Sequence, residues 1–152
     1  GLAALERARD IGLAALCAEA VGIMKAAIDA TADYLRTRRQ FGQPIGRFQA
    51  LQHRAADMLL HYEQAKSMSY LAAMRCASTD ARERRRALSA AKVLTGRAAR
   101  FIGQQAVQLH GGMGMTDELV VSHWFKRLTA IEIEFGDSDT HLQQFIEASA
   151  FN

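Results

Sequence analysis

The chain has 152 residues, 49% of them hydrophobic and 23% charged, with a formal net charge of +3. That is one domain of a globular protein with a real core, which excludes disordered and fibrous classes. Acids and bases are interspersed, so the mild excess of positive charge argues only weakly for polyanionic partners.

No uninterrupted apolar run reaches about 18 residues, which predicts no membrane span. The start, Gly1-Leu2-Ala3-Ala4-Leu5-Glu6, lacks the basic and apolar regions of a signal peptide. It also lacks Met, so a piece of a longer protein is the working expectation. Cys17 and Cys76 fall inside helical patterns without metal-site spacing. They read as small reduced residues of a cytoplasmic protein.

Residues 2 to 39 read as one helix. Leu13, Leu16, Ala20, Met24, Ala27 and Thr31 recur at steps of three and four, drawing a single stripe of small and apolar side chains. Pro44, the only proline, forbids continuation, and Gly42 and Gly46 allow a turn. A second helix is expected from 47 to 77, with Leu51, Ala55, Met58, Tyr62, Ala65, Ser69 and Ala72 on one face. Asp80 with Glu83 has capping-box spacing and opens a third helix. That helix carries Ala91, Leu94, Ala98, Ile102, Ala106 and Leu109 and stops at Gly111-Gly112. Thr116 and Asp117 are expected to cap a helix over 118–134, and a last helix covers 139–149. No strand pattern of useful length appears. The fold class is all-α: an antiparallel helical bundle of three long helices, each roughly 45 Å or more at 1.5 Å per residue, and two shorter ones.

Three clusters could carry chemistry. Arg38, Gln40 and Phe41 sit at a helix end beside the proline turn. A guanidinium there can grip a phosphate through two parallel hydrogen bonds, and Phe41 can lie against a planar ring. The same residues could instead be a solvated arginine and a core phenylalanine closing a helical hairpin. Gln108-Leu109-His110-Gly111-Gly112, with Gly114, is either a backbone-rich corner open to a phosphate or adenosine, or an ordinary helix end. It is not a Walker loop, because no Lys-Ser or Lys-Thr follows, nor a dinucleotide fingerprint, because no strand precedes it. Glu134, Asp137 and Asp139 flank a glycine between two helices. A carboxylate there could be a base with a raised pKa, or simply an N-cap of the last helix.

Other chemistries find little support. Arg82-Glu83-Arg84-Arg85-Arg86 reads as a solvated face, since no aromatic stacking platform accompanies it. No histidine has a Glu three residues before it, so the helical di-iron pattern is missing and no metal site is expected.

The stretches Tyr34-Leu35-Arg36-Thr37-Arg38-Arg39-Gln40-Phe41-Gly42-Gln43-Pro44-Ile45, Phe48-Gln49-Ala50-Leu51-Gln52 and Ala56-Asp57-Met58 stand in register with Gln108-Leu109-His110-Gly111-Gly112-Met113-Gly114. Together they resemble the C-terminal helical domain of the acyl-CoA dehydrogenase family, and the resemblance covers nearly all of residues 1–152. It implies an FAD enzyme that introduces an α,β double bond into acyl-CoA thioesters, passes electrons to an electron-accepting flavoprotein or other acceptor, and works as a homo-oligomer (dimer or tetramer) or paired with a homologous subunit. It implies that Arg38 binds the FAD pyrophosphate. Gln40, Phe41 and Gln49 would approach the cofactor, and Gln108, Leu109, Gly111 and Gly112 its adenosine end, across a subunit interface. The family's N-terminal helical and middle β domains are absent from this chain. Alone it is therefore expected neither to turn over substrate nor to hold FAD tightly.

The resemblance departs from the family at the catalytic carboxylate. Many members carry a Tyr-Glu-Gly-Thr loop before the last helix, whose Glu is the base. Here the stretch reads Ile133-Glu134-Phe135-Gly136-Asp137-Ser138-Asp139-Thr140. Counting back from Leu142-Gln143 puts Asp137 on the base position; counting forward from Gly111-Gly112 puts Phe135 there. The alternative position in the first helix falls near Gly12, with Asp10 close but not on it. The resemblance thus leaves open an active dehydrogenase with Asp137 as base, and a variant-loop subunit that assists FAD binding while a partner supplies the base. A bundle serving only subunit association is the third possibility, and Arg38 and Phe41 speak against it.

Overall fold

A computed structural model describes residues 1–150. Helix α1 runs Leu2–Thr37, followed by a two-stranded ribbon of β1 (Arg39–Gln40) and β2 (Gln43–Pro44) and a 3₁₀ turn, Ile45–Arg47. Helices α2 (Gln49–Cys76) and α3 (Ala81–His110) follow. A 3₁₀ segment, Gly111–Met115, leads to α4 (Val120–Ile133) and α5 (Ser138–Ser149). This is the expected all-α bundle, three long helices and two shorter ones.

Helix α3 packs against all four other helices. Its buried residues therefore extend well beyond one stripe, to Leu88, Lys92, Val93, Thr95, Ala99 and Gly103. The expected α1 stripe is buried throughout, joined by Asp10, Cys17 and Leu35. Met58, Tyr62, Ala65, Ser69 and Ala72 of α2 are buried too. Alanine at 20, 27, 65, 98, 99 and 106 lets the axes approach, and the larger Leu16, Met24, Met58, Ile102, Leu128 and Ile131 fill the space between them. Fully burying each such large side chain contributes about 1.5–3 kcal/mol. Leu94 departs from expectation: it faces the open groove between α2 and α3 with Leu60 and Met68 rather than the core.

Helix ends follow local chemistry. Asp80 caps α3, accepting from Arg82 N at 2.8 Å and Glu83 N at 3.2 Å. Glu83 does not reciprocate as a capping box would; it accepts from Ser78 Oγ and pairs with Arg75 at 3.0 Å. Thr116 and Asp117 do not cap α4, which begins later, with Leu119 at its N-cap. Thr116 donates to Met113 O and Asp117 pairs with Lys126 instead. Helix α1 stops at Thr37 because Arg38 is already extended (φ −68°, ψ 124°). Both cysteines are free, Cys17 buried and Cys76 half-buried.

An 18-residue window of α1 has a mean hydropathy of 1.8, enough by length and composition to cross a membrane. The sequence expectation considered only uninterrupted apolar runs. In the bundle, the apolar stripe of α1 packs on α2, α3 and α4.

The N-terminal half of α1 is tied to α3 by a largely buried ion pair, Arg84 Nε to Asp10 Oδ2 at 3.1 Å, with Arg84 Nη1 also donating to Ser78 O at 2.8 Å. Arg84→Met takes the hydrogen-bonded partner from the buried Asp10 carboxylate and leaves only the longer contact to Arg9 at 3.7 Å. A loss of about 3 kcal/mol is expected, read as a lower urea midpoint.

His141 of α5 is also buried, and burial pushes its pKa below the ordinary 6.5. Below 6.5 the unfolded state binds more protons than the folded one, so stability rises with pH through the window from the folded pKa up to about 6.5. Urea midpoints taken across pH 5–7 should show this rise, and His141→Gln should flatten it.

Candidate functional site

The proline corner is a hairpin. Arg39 faces Pro44 and Gln40 faces Gln43, leaving Phe41-Gly42 as a two-residue turn. Both turn residues have positive φ, 52° at Phe41 and 78° at Gly42, the signature of a type I′ turn. Glycine suits this backbone; phenylalanine does not, and a bulky residue held there marks a constraint other than local propensity. The Phe41 ring is 91% exposed, touching only the edge of Phe48 at 6.0 Å between centroids. The alternative of a core phenylalanine is ruled out: two-residue closure puts Phe41 at the tip, where the core cannot reach. Arg39 Nη2 donates to Gly42 O at 3.0 Å and braces the turn.

Arg38 occupies the C-cap of α1. Its amide donates to Tyr34 O and its carbonyl accepts from Ile45 N, which fixes the backbone. Its guanidinium is exposed and forms no hydrogen bond or ion pair among the described residues. Gln40 is exposed, its amide turned back to Arg39 O, and Gln49 is exposed at the first turn of α2.

At the far end of α3, Gln108, Gly111 and Gly112 are exposed, with Gly111 at φ 62°. Leu109 is buried, so its side chain is closed to a ligand. Gly114 is packed so tightly that a Cβ would stand 2.5 Å from Val107 O. The two corners are neighbours. The Tyr34 ring lies 4.5 Å from the His110 ring, and His110 Nδ1 is 2.8 Å from Ala106 O. Tyr34 thus joins the Arg38 cap to the end of α3. The sequence reading quoted Tyr34 and His110 within the motifs but gave neither this part.

The acid corner lies elsewhere. Phe135 packs on Gly12, which is roughly 40 Å from Arg38 along α1 at 1.5 Å per residue. One chain therefore does not bring Asp137 to the Arg38 corner. Asp137 is exposed and caps α5, its Oδ1 accepting from Thr140 N at 2.8 Å. Hydrogen bonding from the Thr140 side chain and then from its backbone N–H, aided by the positive charge of Lys92, holds its carboxyl below the ordinary 3.8. The direction is opposite to the raised pKa expected of a base in an apolar setting; the cause is hydrogen bonding from Thr140 in the first turn of α5.

Glu134 is held by Arg127, which also takes Glu19 of α1 in a two-pronged pair at 2.6 and 2.8 Å. Phe135 (φ 59°) and Gly136 (φ 105°) form the bend. A Cβ at Gly12 would stand 3.1 Å from the Phe135 ring. The two other candidate base positions, 135 and 12, therefore meet in space, and neither carries a carboxylate. Asp10 is committed to Arg84. Among the described residues no cluster of histidine, cysteine and acidic side chains could hold a metal.

The family model for the acyl-CoA dehydrogenase C-terminal domain matches residues 1–150. The chain is 34% identical to the probable acyl-CoA dehydrogenase YngJ of Bacillus subtilis over 139 residues, covering 91% of this chain and 36% of that protein. Among solved structures, a variant of the Tcur3481-Tcur3483 steroid ACAD superposes with a TM-score of 0.91 at 28% identity, covering 97% of this chain and 40% of that one. The FAD complex of PigA superposes with a TM-score of 0.75 at 28% identity, covering 86% of this chain and 34% of that one. The chain thus spans little more than a third of the length of such relatives. In sequence and in fold, it belongs to the acyl-CoA dehydrogenase family and matches that family's C-terminal domain.

Proposed function

We propose that this chain is the C-terminal bundle of an FAD-dependent acyl-CoA dehydrogenase, and that it grips the cofactor with two adjacent corners. The observation that carries this is the pairing of an unpartnered, exposed Arg38 guanidinium with a strained, exposed Phe41, next to the open backbone of Gly111 and Gly112. Arg38 offers a fork of donors to a pyrophosphate. Phe41 offers a flat apolar face, Gln40 and Gln49 offer amides, and Gln108 and the backbone from Leu109 to Gly112 offer polar atoms to an adenosine. FAD, when bound, would accept the hydride in the α,β-dehydrogenation of an acyl-CoA thioester. The site faces away from the chain's own core, which suits a cofactor shared with another subunit. Under this reading the parent protein carries the N-terminal helical and middle β domains, and an electron-accepting flavoprotein or other acceptor reoxidises it.

A second reading is favoured over a self-sufficient enzyme by the acid corner. Asp137 serves as a cap with a depressed pKa, and Phe135 over Gly12 fills the remaining base positions. In that reading the chain assists FAD binding and assembly while a homologous subunit supplies the base.

Two measurements on the full-length protein test the shared cofactor grip and then separate the two readings. Arg38→Gln should weaken FAD binding roughly 10–100-fold in a fluorescence titration, the loss of a charge-assisted contact; unchanged affinity would remove Arg38 from the site. Asp137→Asn keeps an acceptor for Thr140 N and removes the negative charge. Acyl-CoA turnover should persist at near the parent rate if a partner supplies the base, and a fall of about 100-fold or more would restore Asp137 as the base.

A further inference from the structure

The bend at Phe135 is held from inside the bundle by two buried donors. Lys92 of α3 is 1% exposed. Its ammonium donates to Glu132 O and to Gly136 O, each at 2.8 Å. His141 of α5 faces the same bend: Nε2 donates to Phe135 O at 3.0 Å, and Nδ1 accepts from Ser89 Oγ at 3.3 Å. The carbonyls of residues 132, 135 and 136 are thus fixed from two different helices.

Neither feature is favoured locally. A lysine ammonium buried against carbonyls gives up its hydration without an ion-paired carboxylate in hydrogen-bond contact. A phenylalanine at φ 59° is in a backbone region that L side chains rarely adopt. Their coincidence has a geometric result. The bend directs the Phe135 ring across α1 at Gly12, one of the two positions where α1 has no side chain. A Cβ at Gly12 would stand 3.1 Å from ring Cζ and 3.3 Å from ring Cε2. The ring, 54% exposed, then borders the apolar groove of Leu2, Leu5 and Ala8.

We propose that Lys92 and His141 are positioning residues that aim the side chain of residue 135 over Gly12, so that the chain presents a fixed aromatic wall where a family member would present its base. What the wall faces rests on the second reading given under Proposed function; the aiming rests on the hydrogen bonds and the Gly12 contact alone.

The test compares Gly12→Ala with and without Phe135→Ala, in the full-length protein and in its Lys92→Met and His141→Gln versions. Denaturant midpoints of the unfolding transition are read in each. In a helix interior alanine is favoured over glycine. Gly12→Ala should therefore raise the midpoint in the Phe135→Ala background, yet lower it where the ring is present and clamped. Releasing the clamp lets the ring give way, so in Lys92→Met the penalty of Gly12→Ala should vanish. A lysine that merely stabilised the core would lower every midpoint and leave this sign change intact. If Lys92→Met does not fold, His141→Gln decides.

A Gly12→Ala effect of the same sign with and without Phe135, or one untouched by clamp release, overturns the proposal. Flavin content, read by absorbance on the same samples, keeps the two ideas apart. A parent protein that binds no FAD would defeat the cofactor reading and leave the midpoints equally interpretable.

Discussion

Helix α3 is enclosed by α1, α2, α4 and α5, and this enclosure sets the geometry of everything else. The polar residues it leaves to solvent, among them Arg97, Arg100 and Gln104, are confined to one side. The side chains of Ala91, Ala98, Ala99, Ile102 and Ala106 fill its contacts, and Thr95 and Ser89 are small enough to share them. Lys92 cannot reach solvent from this position, so it turns to the carbonyls at the end of α4. At the other end, the buried His110 anchors the glycine corner against Tyr34. The functional corners are thus the exposed ends of elements whose middles are fixed by packing.

The length of the helices then separates those corners. The corners proposed to hold the cofactor sit together where α1 ends and α3 ends, while the bend before α5 sits against the first third of α1. Roughly 40 Å along α1 separates Gly12 from Arg38, so the two regions of one chain do not meet. The bundle is in this sense a rigid spacer, with the proposed cofactor grip at one end and the proposed aromatic wall at the other. The Asp10–Arg84 pair and the Arg127 links to Glu19 and Glu134 tie the wall end to α1, so the separation is held firmly.

Much of this was legible in the sequence because helical periodicity reports burial directly. The stripe from Leu13 to Thr31 and the α2 series from Met58 to Ala72 are buried as spaced. Pro44 and the glycines around it marked the corner. Leu94 was misplaced because a periodic rule assigns one face, and the groove between α2 and α3 leaves a gap in it. Of the two readings of Phe41, hydrophobicity alone favours the inward one, whereas the two-residue turn dictates the outward one. Lys92 was invisible for a related reason: a lysine among Ala91, Val93 and Thr95 reads as polar surface until the bundle closes around it. The meeting of Phe135 and Gly12 could not be read at all, since 123 positions separate them in the chain. Asp137 was legible as a cap from its type and place, and its depressed pKa follows from that role.

The central claim is that the Arg38 and Gln108–Gly112 corners of one chain grip one FAD. A structure of the full-length protein solved with FAD tests it most directly. The account predicts the Arg38 guanidinium within hydrogen-bond distance of the pyrophosphate, the Phe41 ring against the cofactor, and the Gln108–Gly112 backbone at its adenosine end. FAD bound with Arg38 and Phe41 still in solvent would contradict it.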